Sequence, residues 1–234
     1  MSSLDALIQA TVRDYRDSVV TILTKEREAP KLSAVGSGFI IRSAQNKCLV
    51  MACWHVFQQF DPSKHTMHAR LTRQNLELDA ELLCQDEARH LILISVKGMP
   101  RMYRVLEFCE SSNVPVLSDV ILMAFFSTYP NIFSFGEGVS DVLIFALPGV
   151  IPGKISAQPQ ETDGVVHHSC TGTEGCYGGP LIFNGRVIGV HIGRSGRIGL
   201  SASTETVNAA LKAWFQIPPD VTKTTREMIQ SLPI

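Results

Sequence analysis

The sequence is short of several things, and each shortage removes a class of protein. No apolar run reaches the roughly eighteen residues that a membrane-spanning helix needs, so no transmembrane segment is expected. Net charge is almost nil. The 21 Lys and Arg against 22 Asp and Glu leave −1 with no basic stripe, so neither phosphate backbones nor anionic lipid would be broadly attracted. Nucleic acid and membranes are therefore not expected partners. The first residues, Met1 to Asp14, are broken by charge before a signal-peptide core could form, which predicts an unexported chain, intracellular and cytoplasmic. The six cysteines, Cys48, Cys53, Cys84, Cys109, Cys170 and Cys176, then read as reduced thiols packed like small apolar residues, not as a disulfide framework. Seventeen Gly and twelve Pro in 234 residues are too few for a disordered or fibrous chain. No period of about 20 to 50 residues marks a repeat array.

What is present is a chain with 45% apolar residues, long enough to bury a substantial core. Leu4, Leu7, Ile8, Val12 and Tyr15 are spaced for an amphipathic helix over residues 1–17. The period then changes. Short aliphatic and β-branched runs follow, bounded by turn formers: Ser18–Leu23, Val35–Ile41, Cys48–Ala52, Met67–Thr72, Leu78–Leu83, Leu91–Val96, Val120–Phe125, Val139–Ala146, Val165–Ser169, Pro180–Phe183, Val187–Ile192 and Ile198–Ser201. Twelve short strands without interleaved helices predict an all-β fold. The turn-rich stretch Glu110–Pro115 divides them into two sets of six. Two small antiparallel barrels with a cleft between them, over 18–112 and 113–203, are the economical layout. Helical spacing returns over 204–215 and stops before Pro218-Pro219, which predicts a C-terminal helix and tail over 204–234.

Three segments carry candidate chemistry. Gly175-Cys176-Tyr177-Gly178-Gly179-Pro180-Leu181 sets three glycines around two side chains just before a strand, a tight turn whose amides can cradle an oxyanion. Val50 to Phe57 ends an apolar strand in His55, the side-chain type suited to moving protons near neutrality. Asp86 to Ile94 runs from a polar turn into a buried strand with His90 at its mouth.

Together and in this order, the segments resemble the trypsin-like serine peptidases, most closely their HtrA (DegP-like) branch. Gly36-Ser37-Gly38-Phe39-Ile40-Ile41 looks like the strand that precedes the catalytic histidine there. Val50 to Val56 matches the strand-plus-His-Val pattern. Asp86 to Ile94 falls where the family reads Asp-Pro-x-x-Asp-Leu-Ala-Leu-Leu, and Gly175 to Leu181 falls on Gly-Asn-Ser-Gly-Gly-Pro-Leu. The strand Arg186 to Val190 and the run Gly199 to Val207 continue the likeness, which covers about residues 18–212. It implies two six-stranded barrels of trypsin-like type. It places His55 at the general base, Gly175 and Tyr177 at the oxyanion turn, and Val190, His191 and Ile192 on the strand that would face a bound peptide.

The departures from that pattern decide the functional reading. The orienting carboxylate is replaced by His90 and the nucleophile by Tyr177. A second imidazole cannot offset an imidazolium charge, and a phenol overshoots the geometry that a short hydroxyl or thiol meets. The expectation is a catalytically inactive pseudopeptidase that binds a peptide or protein in a regulatory role, with no cofactor and no metal. His167-His168-Ser169-Cys170-Thr171 replaces the Thr-Asp pair expected before the turn, so the side-chain pocket should be remodelled. Three alternatives stand beside this. Cys176 with His55 resembles the chymotrypsin-fold cysteine peptidases of positive-strand RNA viruses, which use a Gly-x-Cys-Gly turn. The chain could instead be a structural subunit of an assembly, including a homo-oligomer. Asp86 could swing back to orient His55, although a turn-capping role is preferred. Finally, His65-Thr-Met-His68 is spaced like half a zinc site but is expected in a solvated polar loop.

Overall fold

The apolar runs of the first half have two faces, and both are covered. On β3 (Asn46–Cys53), Cys48, Val50 and Ala52 point one way while Leu49 and Met51 point the other, all buried. The paired strand β6 (Leu91–Met99) repeats this, with Ile92, Ile94 and Val96 on one face and Leu91 and Leu93 on the other. A strand covered on both sides reads as a continuous apolar run instead of an alternation. The computed structural model describes residues 3–28, 31–71, 77–126, 147–160, 163–173, 175–232 and 234.

One closed barrel is formed by β1 (Val19–Glu26), β2 (Leu32–Ala44), β3, β6, β5 (Glu77–Asp86) and β4 (His65–Arg70) in that spatial order. The second has the order β10 (Pro180–Phe183), β11 (Arg186–Ser195), β12 (Ile198–Ser203), β9 (Val165–His168), β8 (Gly149–Ala157) and β7 (Asp119–Ala124). Every strand pair within them is antiparallel. Val20, Ile22, Ile40, Val50, Ile92 and Ile94 fill the first barrel, and Val120, Leu122, Ile155, Val166, Leu181 and Ile188 fill the second. A third cluster takes the outward faces of both, from Val19, Phe39 and Met51 to Met123, Val187 and Val190, and joins the barrels. The groove at this seam is where side chains from both barrels can meet.

Eleven of the twelve expected strands are present. The twelfth, Val139–Ala146, lies outside the described residues. Strand β8 was not among the expected runs; Gly149, Pro152 and Gly153 interrupt its apolar residues. Pro152 sits opposite Ile121 of β7, while β9 pairs only with Ile155 and Ala157, so the proline occupies a one-sided stretch where strands tolerate it.

Helix α1 (Ser3–Tyr15) continues into a 3₁₀ turn over Arg16–Ser18 and packs Ile8, Val12 and Tyr15 on the seam cluster. Helix α2 (Thr204–Trp214) starts on Ser203, whose hydroxyl accepts from the Thr206 amide. The tail carries a further helix, α3 (Thr225–Ser231), closed at its start by a capping box between Thr224 and Glu227. Its Met228 and Ile229, with Leu232 beyond its end, are buried in the seam, and Arg42 of β2 donates to the Ile229 carbonyl at 3.0 Å. Among the described residues no helix is long and apolar enough to cross a membrane.

Candidate active site

His55 lies in a 3₁₀ turn, Trp54–Phe57, that follows β3 directly. The Trp54 amide donates to the His90 carbonyl at 2.9 Å, which ties this turn to the mouth of β6. His90 closes the turn between β5 and β6 in a left-handed conformation, φ 57°, and is exposed, with its ring centroid 6.2 Å from that of His55. The structure brings the two expected imidazoles side by side, edge to face. Asp86 does not join them. Its carboxylate accepts from the Arg89 amide at 2.9 Å and pairs with the Arg89 guanidinium at 2.6 Å, so it caps the turn.

The glycine turn is held by backbone contacts from both barrels. Gly175 and Gly178 have φ of 88° and 92°. A Cβ on Gly178 would stand 2.0 Å from the Ser37 carbonyl oxygen, so only glycine fits. Ser37, fully buried on β2, donates its amide to the Tyr177 carbonyl at 2.9 Å and its hydroxyl to the Gly175 carbonyl at 2.7 Å. The same hydroxyl accepts from the Phe125 amide at 2.9 Å. Gly178 donates to the His191 carbonyl, and His191 donates back to Gly179, at 2.7 and 2.8 Å.

This framework aims the half-buried ring of Tyr177 into the groove. Its centroid lies 4.7 Å from that of His55, tilted by 63°, and 5.6 Å from that of His191 in a near-parallel stack. Cys176 turns the other way. Its thiol is buried, donates to the Thr173 carbonyl at 2.7 Å, and is pushed by burial up to about 12, so it holds its proton at neutral pH. Gly172 leaves room for it, since a Cβ there would be 2.0 Å from the sulfur.

A column of rings crosses the groove from His90 through His55, Tyr177 and His191 to His168. Burial, and then the charge of His90, lower the His55 pKa. Burial pulls His191 down to about 3 and His168 down to about 4, each aided by a neighbouring histidine. The inner imidazoles are therefore neutral. His168 shares a 2.9 Å hydrogen bond with Ser201, while the Leu200 backbone is the group that partly opposes the lowering at His191.

Sequence reasoning missed two contributors. Ser37 was read only as part of a strand motif. Cys53, fully buried at the end of β3, places Sγ 3.0 Å from Nδ1 of His55. Only the Cys-x-His spacing hinted at it, and the hint has meaning only once a 3₁₀ turn folds the histidine back.

On the strand expected to face a peptide, Val190 is buried between Pro180 and Ala202, and both backbone groups of His191 are taken by the glycine turn. Ile192 alone of the three lines a cleft of about 810 Å³, with Arg89, His90, Gln158, Val165 and Glu205. His65 and His68 belong to β4, not to a loop. His65 accepts from the Asp61 amide at Nδ1, and His68 bonds Thr66, so both rings are occupied locally. Among the described residues no three His, Cys, Asp or Glu side chains converge as a metal-ligand set.

The family model described as "Trypsin-like peptidase domain" matches residues 36–190, well over half of the sequence. Two solved structures share the fold. One is the serine endoprotease from Yersinia pestis, at 16% identity and TM-score 0.65 over 93% of this chain and 68% of that one. The other is Deg5, at 15% identity and TM-score 0.67 over 89% of this chain and 94% of that one. No curated protein matches the sequence.

Proposed function

The chain belongs to the trypsin-like peptidase domain family, and from that premise we infer that it is a catalytically inactive member, a pseudopeptidase that binds an extended peptide or protein segment in the cleft beside His90 and Ile192. One observation carries the reading. The position where the family holds a short nucleophile presents a phenol, and its ring stands 4.7 Å from the imidazole that would have to take a proton from that nucleophile.

A triad works because a carboxylate fixes the imidazole tautomer and stabilises the imidazolium, while a small hydroxyl reaches the scissile carbonyl. Here the carboxylate position holds an exposed histidine with a left-handed backbone, and His55 is held neutral. Loss of the nucleophile or base costs on the order of 10⁶ in turnover, leaving roughly 10³ to 10⁴ over water. The alternative with Cys176 as nucleophile finds no support in the geometry: that thiol is protonated, buried and bonded to Thr173.

The test pairs reactivity with binding. The full chain is incubated with a fluorophosphonate, with iodoacetamide and with a pool of fluorogenic peptides. A peptide display library is then panned on it and on an Ile192→Asp variant. The expected result is no hydrolysis above buffer, no labelling of the glycine turn, and selection of peptides that Ile192→Asp fails to hold. Turnover, or covalent capture at Tyr177 or Cys176, overturns the inactive assignment, and failure to select any peptide overturns the binding role.

A further inference from the structure

Nδ1 of His55 is the nitrogen that a triad carboxylate would occupy, as an acceptor. In this chain its neighbour at 3.0 Å is the sulfur of Cys53. Cys53 is fully buried, and burial pushes its thiol up to about 12, so it carries its hydrogen at any physiological pH. The other acceptor within reach of the thiol is the Ile192 carbonyl, at 4.0 Å. The thiol has a single hydrogen to offer, its sulfur is only a weak acceptor, and the imidazole nitrogen at 3.0 Å is a nearer acceptor than the carbonyl at 4.0 Å.

We propose that Cys53 is a positioning residue that donates its thiol hydrogen to Nδ1 of His55 and so holds the ring in the Nε2–H tautomer. This inverts the polarity of the contact that a working base needs. A carboxylate accepts the Nδ1 proton and leaves Nε2 free to take one. A thiol donates to Nδ1, and the remaining ring proton sits on Nε2, where a nucleophile's proton would have to go. The inference rests on the reading of His55 as a disarmed base and names the atom that disarms it.

The test reads the ring protons directly, by nitrogen NMR of the full chain labelled at histidine, with the His55 signals assigned through His55→Gln. The unaltered protein should show His55 as a neutral ring with its proton on Nε2. Cys53→Ala should give a mixture of tautomers, while Cys53→Ser, which keeps a donor of similar size, should retain the Nε2–H form. Cys53→Asp should move the proton to Nδ1 and raise the His55 pKa; if that variant does not fold, the alanine and serine pair decides. A proton on Nδ1 in the unaltered chain, or a tautomer indifferent to Cys53→Ala, overturns the proposal. The outcomes separate from those of the activity test. Turnover from a chain whose His55 is Nε2–H sinks the inactive reading alone, whereas an Nδ1–H ring in a chain without turnover sinks this inference alone.

Discussion

The ring of Tyr177 lies 14° from parallel with the imidazole of His191, centroid to centroid 5.6 Å, so the phenol of the glycine turn rests on a fully buried histidine. The stack gives a large side chain a flat, buried surface to pack on at this turn. His191 is fixed through both of its backbone groups to the same turn, and Tyr177 shares the geometry of its support.

Repair by substitution tests how many parts of the triad are disabled. Tyr177→Ser alone should leave hydrolysis at background, because His55 still lacks an orienting acceptor. Adding His90→Asp supplies a carboxylate, but the Cys53 sulfur remains at Nδ1. Measurable cleavage of a fluorogenic peptide is expected only when Cys53→Ala is added to the other two. Rapid cleavage by the single variant would show that the base is intact and that the phenol alone silences the site.

The buried histidines predict acid sensitivity. His191 and His168 titrate near 3 and 4 in the folded chain, below the ordinary value of 6.5. Below that ordinary value the unfolded chain binds the extra protons, so the stability these groups confer is full above about pH 6.5. It falls as pH drops from there towards 4 and 3. Between about pH 7.5 and pH 5 the loss is about 2 kcal/mol for His191. His191→Phe keeps a ring beneath Tyr177 and removes the titration. Urea unfolding at the two pH values should show the variant losing about 2 kcal/mol less than the unaltered chain. Equal losses would mean that His191 is not the buried neutral ring described above.

Much of the fold was legible because the barrels are made of apolar runs separated by turn formers, and a closed barrel covers both faces of its seam strands. What was not legible depended on partners distant in sequence. Pro152 hid β8, since a proline is tolerated only where a strand has one neighbour, and that is a property of the sheet. Helix α3 left a local signal, the Thr224 and Glu227 capping pair, but its seven residues are too few for periodicity to show. At the site, His55, His90, Tyr177 and Cys176 could be located by motif, yet the direction in which Cys176 points could not. The stack of His168, His191 and Tyr177 arises from β9, β11 and the glycine turn meeting at one end of a barrel, which no sequence spacing records.

Ser37 should be a stability residue out of proportion to its size. Its hydroxyl joins the first barrel to the Gly175 carbonyl and the Phe125 amide, both in the second half of the chain. Ser37→Ala leaves a buried donor and a buried acceptor without partners, each costing about 1 to 3 kcal/mol. A lower urea midpoint with an unchanged slope is expected, by about 2 to 6 kcal/mol overall. A change within a few tenths would mean that water or a neighbour takes over both groups.

The last prediction concerns the floor of the turn. A Cβ on Gly172 would lie 2.0 Å from Cys176 Sγ, 3.2 Å from its Cβ and 3.3 Å from Nε2 of His191. Gly172→Ala must therefore displace the thiol, breaking its bond to Thr173 and pressing on the Tyr177 stack, at a cost of about 1 to 3 kcal/mol. Removing the sulfur takes away the worst clash, so Cys176→Ala should rescue part of that loss. In a double-mutant cycle the pair should couple by at least about 0.5 kcal/mol, the double variant being more stable than the sum of the singles allows. Simple additivity would place the sulfur elsewhere, and a cysteine free of Gly172 could face His55 across the groove. The cycle thus tests through stability alone the same orientation of Cys176 that the functional reading depends on.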